Sequence, residues 1–162
     1  MTNRVGALGE RSSEKSGPRN LHRDPAFWIA FLAGPAFWFA LSFILPVTLA
    51  PKIRLDNWRH FLFFAAIYPI LEEWLFRGLL QPLLLRQRVG RAVFLGFSGA
   101  NLIATFLFVI AHFFRHPPMW AALVVFPSLI FGWFRDRYQR VYPAILLHCF
   151  YNLGYFVFFR SG

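Results

Sequence analysis

The chain holds a single cysteine, Cys149, among its 162 residues. One thiol excludes an intrachain disulfide and any cysteine-based metal cluster. Lysine is nearly as scarce: of the 17 basic residues two are Lys and fifteen are Arg, a bias with no mechanistic content. The HExxH pair of zinc proteases is missing. No secretory leader is evident, because the first apolar block begins late, is too long for an h-region and has no small-residue cleavage site after it. The sequence PAFW occurs at 25–28 and again at 35–38. Two copies inside one block are not a repeat architecture, and Pro35 is expected to kink or interrupt that helix.

Apolar residues are plentiful. The chain is 57% hydrophobic and 20% aromatic, with a mean hydropathy of +0.48, above the range of a soluble domain this size. The apolar residues come in blocks about as long as a bilayer core is thick, roughly 20 residues at 1.5 Å each. Five blocks stand out, at about 27–50, 60–85, 92–114, 118–134 and 142–159. The expected fold is all-α, a polytopic bundle of about five transmembrane helices forming one domain over residues 25–162. Residues 1–24 are polar and basic, cannot bury enough surface to fold alone, and are expected to form a disordered cytoplasmic tail.

The net charge of +10 sits in short clusters between the apolar blocks, not in one stripe, so lipid headgroups rather than nucleic acid are the expected partner. With the N-terminus inside, the tail and the loops 86–91 and 135–140 hold eleven Lys and Arg, against five on the opposite side: Lys52, Arg54, Arg59, Arg115 and Arg160. The positive-inside rule therefore predicts a cytoplasmic N-terminus.

Few strongly polar residues remain at membrane depth: Glu72, Glu73, Arg77, Asn101, His112, His148 and Asn152. A Glu or Arg at mid-bilayer costs on the order of 2.5–3.5 kcal/mol on insertion scales, so such residues face the bundle interior and mark function. Glu73 and Arg77 are i and i+4 and can neutralise each other. Glu72 points roughly 100° away around the helix, so the pair leaves it unpartnered. His148 and Asn152 share one helix face, as do Phe108 and His112, whose aromatic neighbour can wall the imidazole. Asn101, near Ser98 and Gly99, is expected to serve close helix packing. Cys149 reads as a packing residue, and His22, His60 and His116 as tail or interface residues.

This set can do chemistry. A carboxylate removed from water is a better base, able to take a proton from a water that His112 or His148 also holds. Asn152 can donate to the oxyanion formed when that water attacks an amide carbonyl. Taken along straight spans, however, Glu72 falls near mid-membrane, His112 near the outer end and His148 nearer the inner end. A single site requires that the fold bring them to one depth.

Glu72, Glu73 and Arg77 as EExxxR, Phe108 and His112 as FxxxH, and His148 and Asn152 as HxxxN resemble the CAAX-protease and bacteriocin-processing (CPBP/Abi) family of intramembrane proteases. The resemblance covers about 80 residues, Glu72 to Asn152. It implies that Glu72 activates water, that His112 and His148 assist, that Asn152 helps form the oxyanion site, and that Glu73, Arg77 and Phe108 support the geometry. It further implies a glutamic-type, metal-independent protease with no cofactor, a membrane-anchored protein or peptide as substrate, and residence in a prokaryotic inner membrane. The small size is similar to the myxosortase-like members, associated with C-terminal sorting tails.

Three other readings stay open. Two histidines and a glutamate are a familiar zinc set, though the ligands would come from three helices with no spacing signature, which ranks metal below glutamate chemistry. A non-catalytic member of the same fold would bind a membrane peptide or act in immunity or assembly. A small transporter would use Glu72 as a proton carrier. Oligomeric state is not legible.

Overall fold

The computed structural model describes residues 20–45, 48–49 and 58–160. The tail up to residue 19, and Lys52 and Arg54 of the first loop, lie outside these described residues. A 3₁₀ turn, Leu21–Arg23, leads into α1, Pro25–Ile44. The Asp24 carboxylate accepts from the Ala26 N–H at 3.0 Å, and Pro25 presets the first helical φ. The helix runs unbroken through Pro35. The interruption expected there does not occur; beside it, Gly34 lets α1 pack against the Phe150 and Tyr151 rings on the neighbouring helix.

The second block is a helical rod over 58–85 with two wide turns. It consists of α2 (Trp58–Leu62), a π-helical segment (Phe63–Ile67), α3 (Tyr68–Glu73), a second π-helical segment (Trp74–Leu80) and α4 (Gln81–Leu85). Pro69 and Pro82 stand at the starts of α3 and α4. Each removes an N–H that an α-helical ladder would use, and the preceding turn relaxes to wider pairing.

After α5 (Arg88–Arg91) the expected helix from Ala92 does not begin. Instead β2 (Val93–Phe94) and β3 (Phe97–Ser98) pair antiparallel, Val93 opposite Ser98. Leu95 and Gly96 make the turn at φ 50° and 83°, the left-handed pair that a two-residue hairpin demands. Helix α6, Gly99–Phe113, starts only when the Ser98 hydroxyl accepts from the Asn101 N–H at 3.0 Å. The chain continues through α7 (Pro118–Leu123), α8 (Val125–Tyr138) and α9 (Tyr142–Phe158). Finally β4 (Phe159–Arg160) pairs with β1 (Thr48–Leu49). Arg135 and Arg137, expected in a loop, belong to the last turn of α8.

All the long elements are helices, and two of them, Pro25–Ile44 and the nearly continuous 118–138, are long and apolar enough to cross a membrane. The 15 residues of α6 and the 17 of α9 are shorter, and the rod carries Arg59, Glu72, Glu73 and Arg77, so the count of five full crossings is not reached by length and composition. The distribution of side chains is inside-out. Ile29, Leu32, Phe39, Phe43, Trp74 and Phe106 are exposed, while Glu73, Arg77, Gln81, Asn101 and Ser128 have no accessible surface. Apolar exterior around a polar interior is what lipid selects.

The helices approach closely where side chains are absent. A Cβ at Gly132 on α8 would overlap the Asn101 amide on α6, and one at Gly154 on α9 would overlap the Trp38 ring on α1. Asn101 thus packs helices as expected, also donating to the Leu129 carbonyl at 2.9 Å. Trp38 and Phe131 are core residues: the Trp38 indole N–H donates to the Tyr151 carbonyl at 3.0 Å, and the Tyr151 hydroxyl to the Ala30 carbonyl at 2.8 Å.

Two ends result. At one, the start of α1 meets the end of α8 as Arg137 Nε donates to Asp24 at 2.7 Å, with Tyr138 also donating to it at 2.7 Å. The β2–β3 hairpin joins the same end through Ser98 and Asp136. The other end carries the β1–β4 pair and the α6–α7 turn.

Gly132→Ala should lower the thermal midpoint in detergent, at a cost of about 1–3 kcal/mol for overpacking. Gly78→Ala, whose nearest neighbour would be at an ordinary 3.6 Å, should leave it unchanged. The Arg137 guanidinium hydrogen-bonded to it holds the Asp24 carboxyl down at about 2. A depressed folded pKa gives stability that is present above the ordinary carboxylate range and lost as pH falls through about 2. Thermal scans from pH 5 to 2 should therefore fall more steeply for the native chain than for Asp24→Asn.

Candidate active site

The rod, α6 and α9 deliver the polar residues to one place. A cavity of about 770 Å³ is lined by Glu72, Phe108, His112, His148 and Asn152 together with aromatic side chains of α1, α7 and α8. The depth conflict disappears, since Glu72 Oε2 is 3.8 Å from His148 Nε2. The α9 boundary at Tyr142 is the expected one, so it is the packing of α9 against the rod, and not a shifted helix start, that brings His148 to Glu72.

The two carboxylates separate as their helix positions require. Glu72 faces the cavity with its side chain about 31% exposed. Glu73 is fully enclosed, 3.5 Å from Arg77 Nε, and its other oxygen is 2.9 Å from His148 Nδ1. This second contact is absent from the spacing argument, which pairs Glu73 with Arg77 alone. It has a chemical consequence. The contact holds His148 Nδ1 against Glu73, so the ring is oriented and Nε2 is the nitrogen turned towards Glu72. Phe131 stacks on the His148 ring at 5.0 Å between centroids and Phe108 meets it edge-on at 5.9 Å.

His112 is held in a parallel way. Its Nδ1 lies 2.8 Å from the Phe108 carbonyl one turn back. A carbonyl only accepts, so Nδ1 donates and Nε2 is free to exchange a proton. Phe108 walls the ring at 4.3 Å, as its spacing suggests. Asn152 Nδ2 donates to the Phe64 carbonyl at 3.1 Å, inside the first wide turn of the rod. One amide N–H is thus used for positioning and the second remains for a ligand.

Beneath the cavity lies a buried polar layer of which the sequence motifs contain Arg77 alone. Arg77 Nη2 donates to the Ser128 carbonyl at 2.9 Å and also to the Ser128 hydroxyl. Ser128 donates to Thr105 at 3.2 Å, and Thr105 to Asn101 Oδ1 at 3.2 Å. Gln81 donates to the Gly132 carbonyl at 2.9 Å. Arg135, buried, donates from Nε to the Arg77 carbonyl at 3.1 Å, inside the second wide turn. The sequence does contain a signal for part of this layer: Glu73, Arg77 and Gln81 recur at i, i+4 and i+8, and Asn101 and Thr105 at i and i+4.

His60 and His116, read from sequence as interface residues, also line the cavity. His116 stacks on Trp120 at 4.0 Å, and Arg115 sits 5.3 Å over the Tyr68 ring. Cys149 is half-buried with Sγ 3.9 Å from the Ala66 carbonyl, a packing position. Among the described residues no group of three or more His, Cys, Asp or Glu side chains could hold a metal ion.

The family model described as type II CAAX prenyl endopeptidase Rce1-like matches residues 54–154. That segment contains all seven residues of the three motifs. No curated protein and no solved structure matches the chain.

Arg77→Met leaves the Glu73 charge buried without its cation, which should destabilise the fold by about 3–5 kcal/mol. Combining it with Glu73→Leu should recover much of the loss. Chemical denaturation in micelles measures both; equal destabilisation of the single and double variants would contradict the pairing.

Proposed function

The chain belongs to the type II CAAX prenyl endopeptidase Rce1-like family, and we propose that it is an intramembrane endopeptidase in which Glu72 is the general base. The observation that carries this reading is the Glu72–His148–Glu73 alignment at the cavity floor. Water held between Glu72 and His148 Nε2 loses a proton to Glu72 as it attacks the peptide carbonyl. The free Asn152 N–H faces the same space and stabilises the oxyanion, while His112 Nε2 accepts a hydrogen bond from the attacking water and helps to orient it. Glu72 then passes that proton through His148 Nε2 to the leaving amine, with the ring held in place by Glu73, itself beside Arg77.

In this reading the substrate is a membrane-anchored protein or a C-terminal sorting tail, as the small myxosortase-like relatives suggest. The enzyme sits in a cytoplasmic membrane with its N-terminus inside. Both arginine loops assigned to the inside, 86–91 and 135–140, flank the bundle end where α1 starts, which supports that orientation. No metal takes part: the water is activated by carboxylate and imidazole alone.

Glu72→Gln should lower cleavage of co-expressed tail-anchored substrates by at least about 100-fold with an unchanged thermal midpoint. Undiminished cleavage would remove Glu72 from the role. No cleavage by either form points to a peptide-binding member of the fold, and proton-coupled flux in proteoliposomes to a transporter. Purified protein should cleave equally with and without chelator; activity lost to chelation and restored by zinc would overturn the glutamate mechanism.

A further inference from the structure

The cavity uses only one half of every long helix. On α1 it is lined from Phe37 to the residue that follows the helix, Leu45, and by nothing from Pro25 to Ala36. On the rod, which runs the opposite way, the lining spans His60 to Phe76 and stops before Arg77. On α8 it ends at Phe131, leaving Gly132 to Tyr138 outside it. On α6 and α9 it begins at Phe108 and His148 and extends to their C-terminal ends. All these halves point to the end that carries the β1–β4 pair.

The other end is closed and basic. Arg77, Ser128, Thr105 and Asn101, hydrogen-bonded in series, and Gln81, bonded to the Gly132 carbonyl, are all fully or almost fully buried and form a polar floor under Glu72 and His148. Beyond that floor come Arg86, Arg88, Arg91, Arg135, Arg137 and Arg140. At the open end the described arginine side chains are Arg59 and Arg115. The positive-inside rule assigns the arginine end to the cytoplasm.

We infer that the catalytic cavity opens to the non-cytoplasmic side, so that the bond it cleaves belongs to a segment lying outside, or in the outer half of the bilayer, on a membrane-anchored protein. This rests on the endopeptidase reading for the chemistry but not for the direction of opening. Hydrolysis there adds water across one amide, leaving a carboxylate on the fragment N-terminal to the cut and an amine on the other. A substrate anchored by a C-terminal helix then loses its outer domain from the membrane. A substrate whose cleavable tail is cytoplasmic cannot reach Glu72, because the polar floor and the packed second halves of α8 and the rod intervene.

Cysteine accessibility in sealed vesicles tests the direction without needing a substrate. In a Cys149→Ser background, Met119→Cys at the mouth and Leu123→Cys further along α7 report the cavity, and Arg88→Cys reports the arginine end. A membrane-impermeant maleimide should label Met119→Cys and Leu123→Cys at least tenfold faster in right-side-out than in inverted vesicles, with Arg88→Cys reversed. Cavity positions labelled faster from inverted vesicles, labelled from neither side, or labelled from the same side as Arg88→Cys would overturn the inference. Because this readout is independent of cleavage, an inactive but correctly labelled protein would fail the endopeptidase reading alone.

Discussion

The buried contact between Glu73 and Arg77 is the constraint around which this bundle is arranged. Neither side chain has accessible surface, and an unpaired charge in such a place would cost several kcal/mol. Two of the neighbouring polar groups answer that requirement. Arg77 carries more donors than one carboxylate can satisfy, so Ser128 is drawn in from α8. Glu73 has a second oxygen to satisfy, and the ring of His148 supplies the donor. The ion pair thereby ties the rod to α8 and α9 with directional bonds, where apolar side chains facing lipid on one side and each other on the other would discriminate poorly between registers.

The same pair converts a packing device into a chemical one. By holding Glu73 in place, Arg77 fixes the orientation of the His148 ring, and so which nitrogen faces Glu72. His112 reaches an equivalent state through the Phe108 carbonyl. Two imidazoles from different helices are thus presented with the same nitrogen available, next to one partly exposed carboxylate, in a cavity walled mostly by aromatic and aliphatic side chains. Preorganised groups in a water-poor site are the arrangement that hydrolysis of an unreactive amide needs.

Much of this is legible in the sequence, and what is not has definable causes. Helical spacing alone separates Glu72 from Glu73 and places His148 with Asn152 and Phe108 with His112. It cannot show that Glu73 also meets His148, because that contact joins residues 75 positions apart. The five apolar blocks locate the helices but misplace some of their ends, that of α1 and the start of α6 above all. The run from Ala92 to Phe97 is apolar enough for a helix, yet the left-handed Leu95–Gly96 turn makes it a hairpin. Hydropathy places Arg135 in a loop, whereas its long side chain turns back to the Arg77 carbonyl. The two wide turns of the rod are signalled only by Pro69 and Pro82, and they matter: the carbonyls of Phe64 and Arg77, one in each, anchor Asn152 and Arg135.

The central claim is that Glu72 activates water and does not itself attack the peptide. A single turnover in ¹⁸O-water, followed by mass spectrometry of product and enzyme, tests it most directly. The account predicts one ¹⁸O in the new product carboxylate and none in Glu72. Label appearing in the Glu72 side chain while the new product carboxylate remains unlabelled would mean a covalent acyl-enzyme and would contradict it.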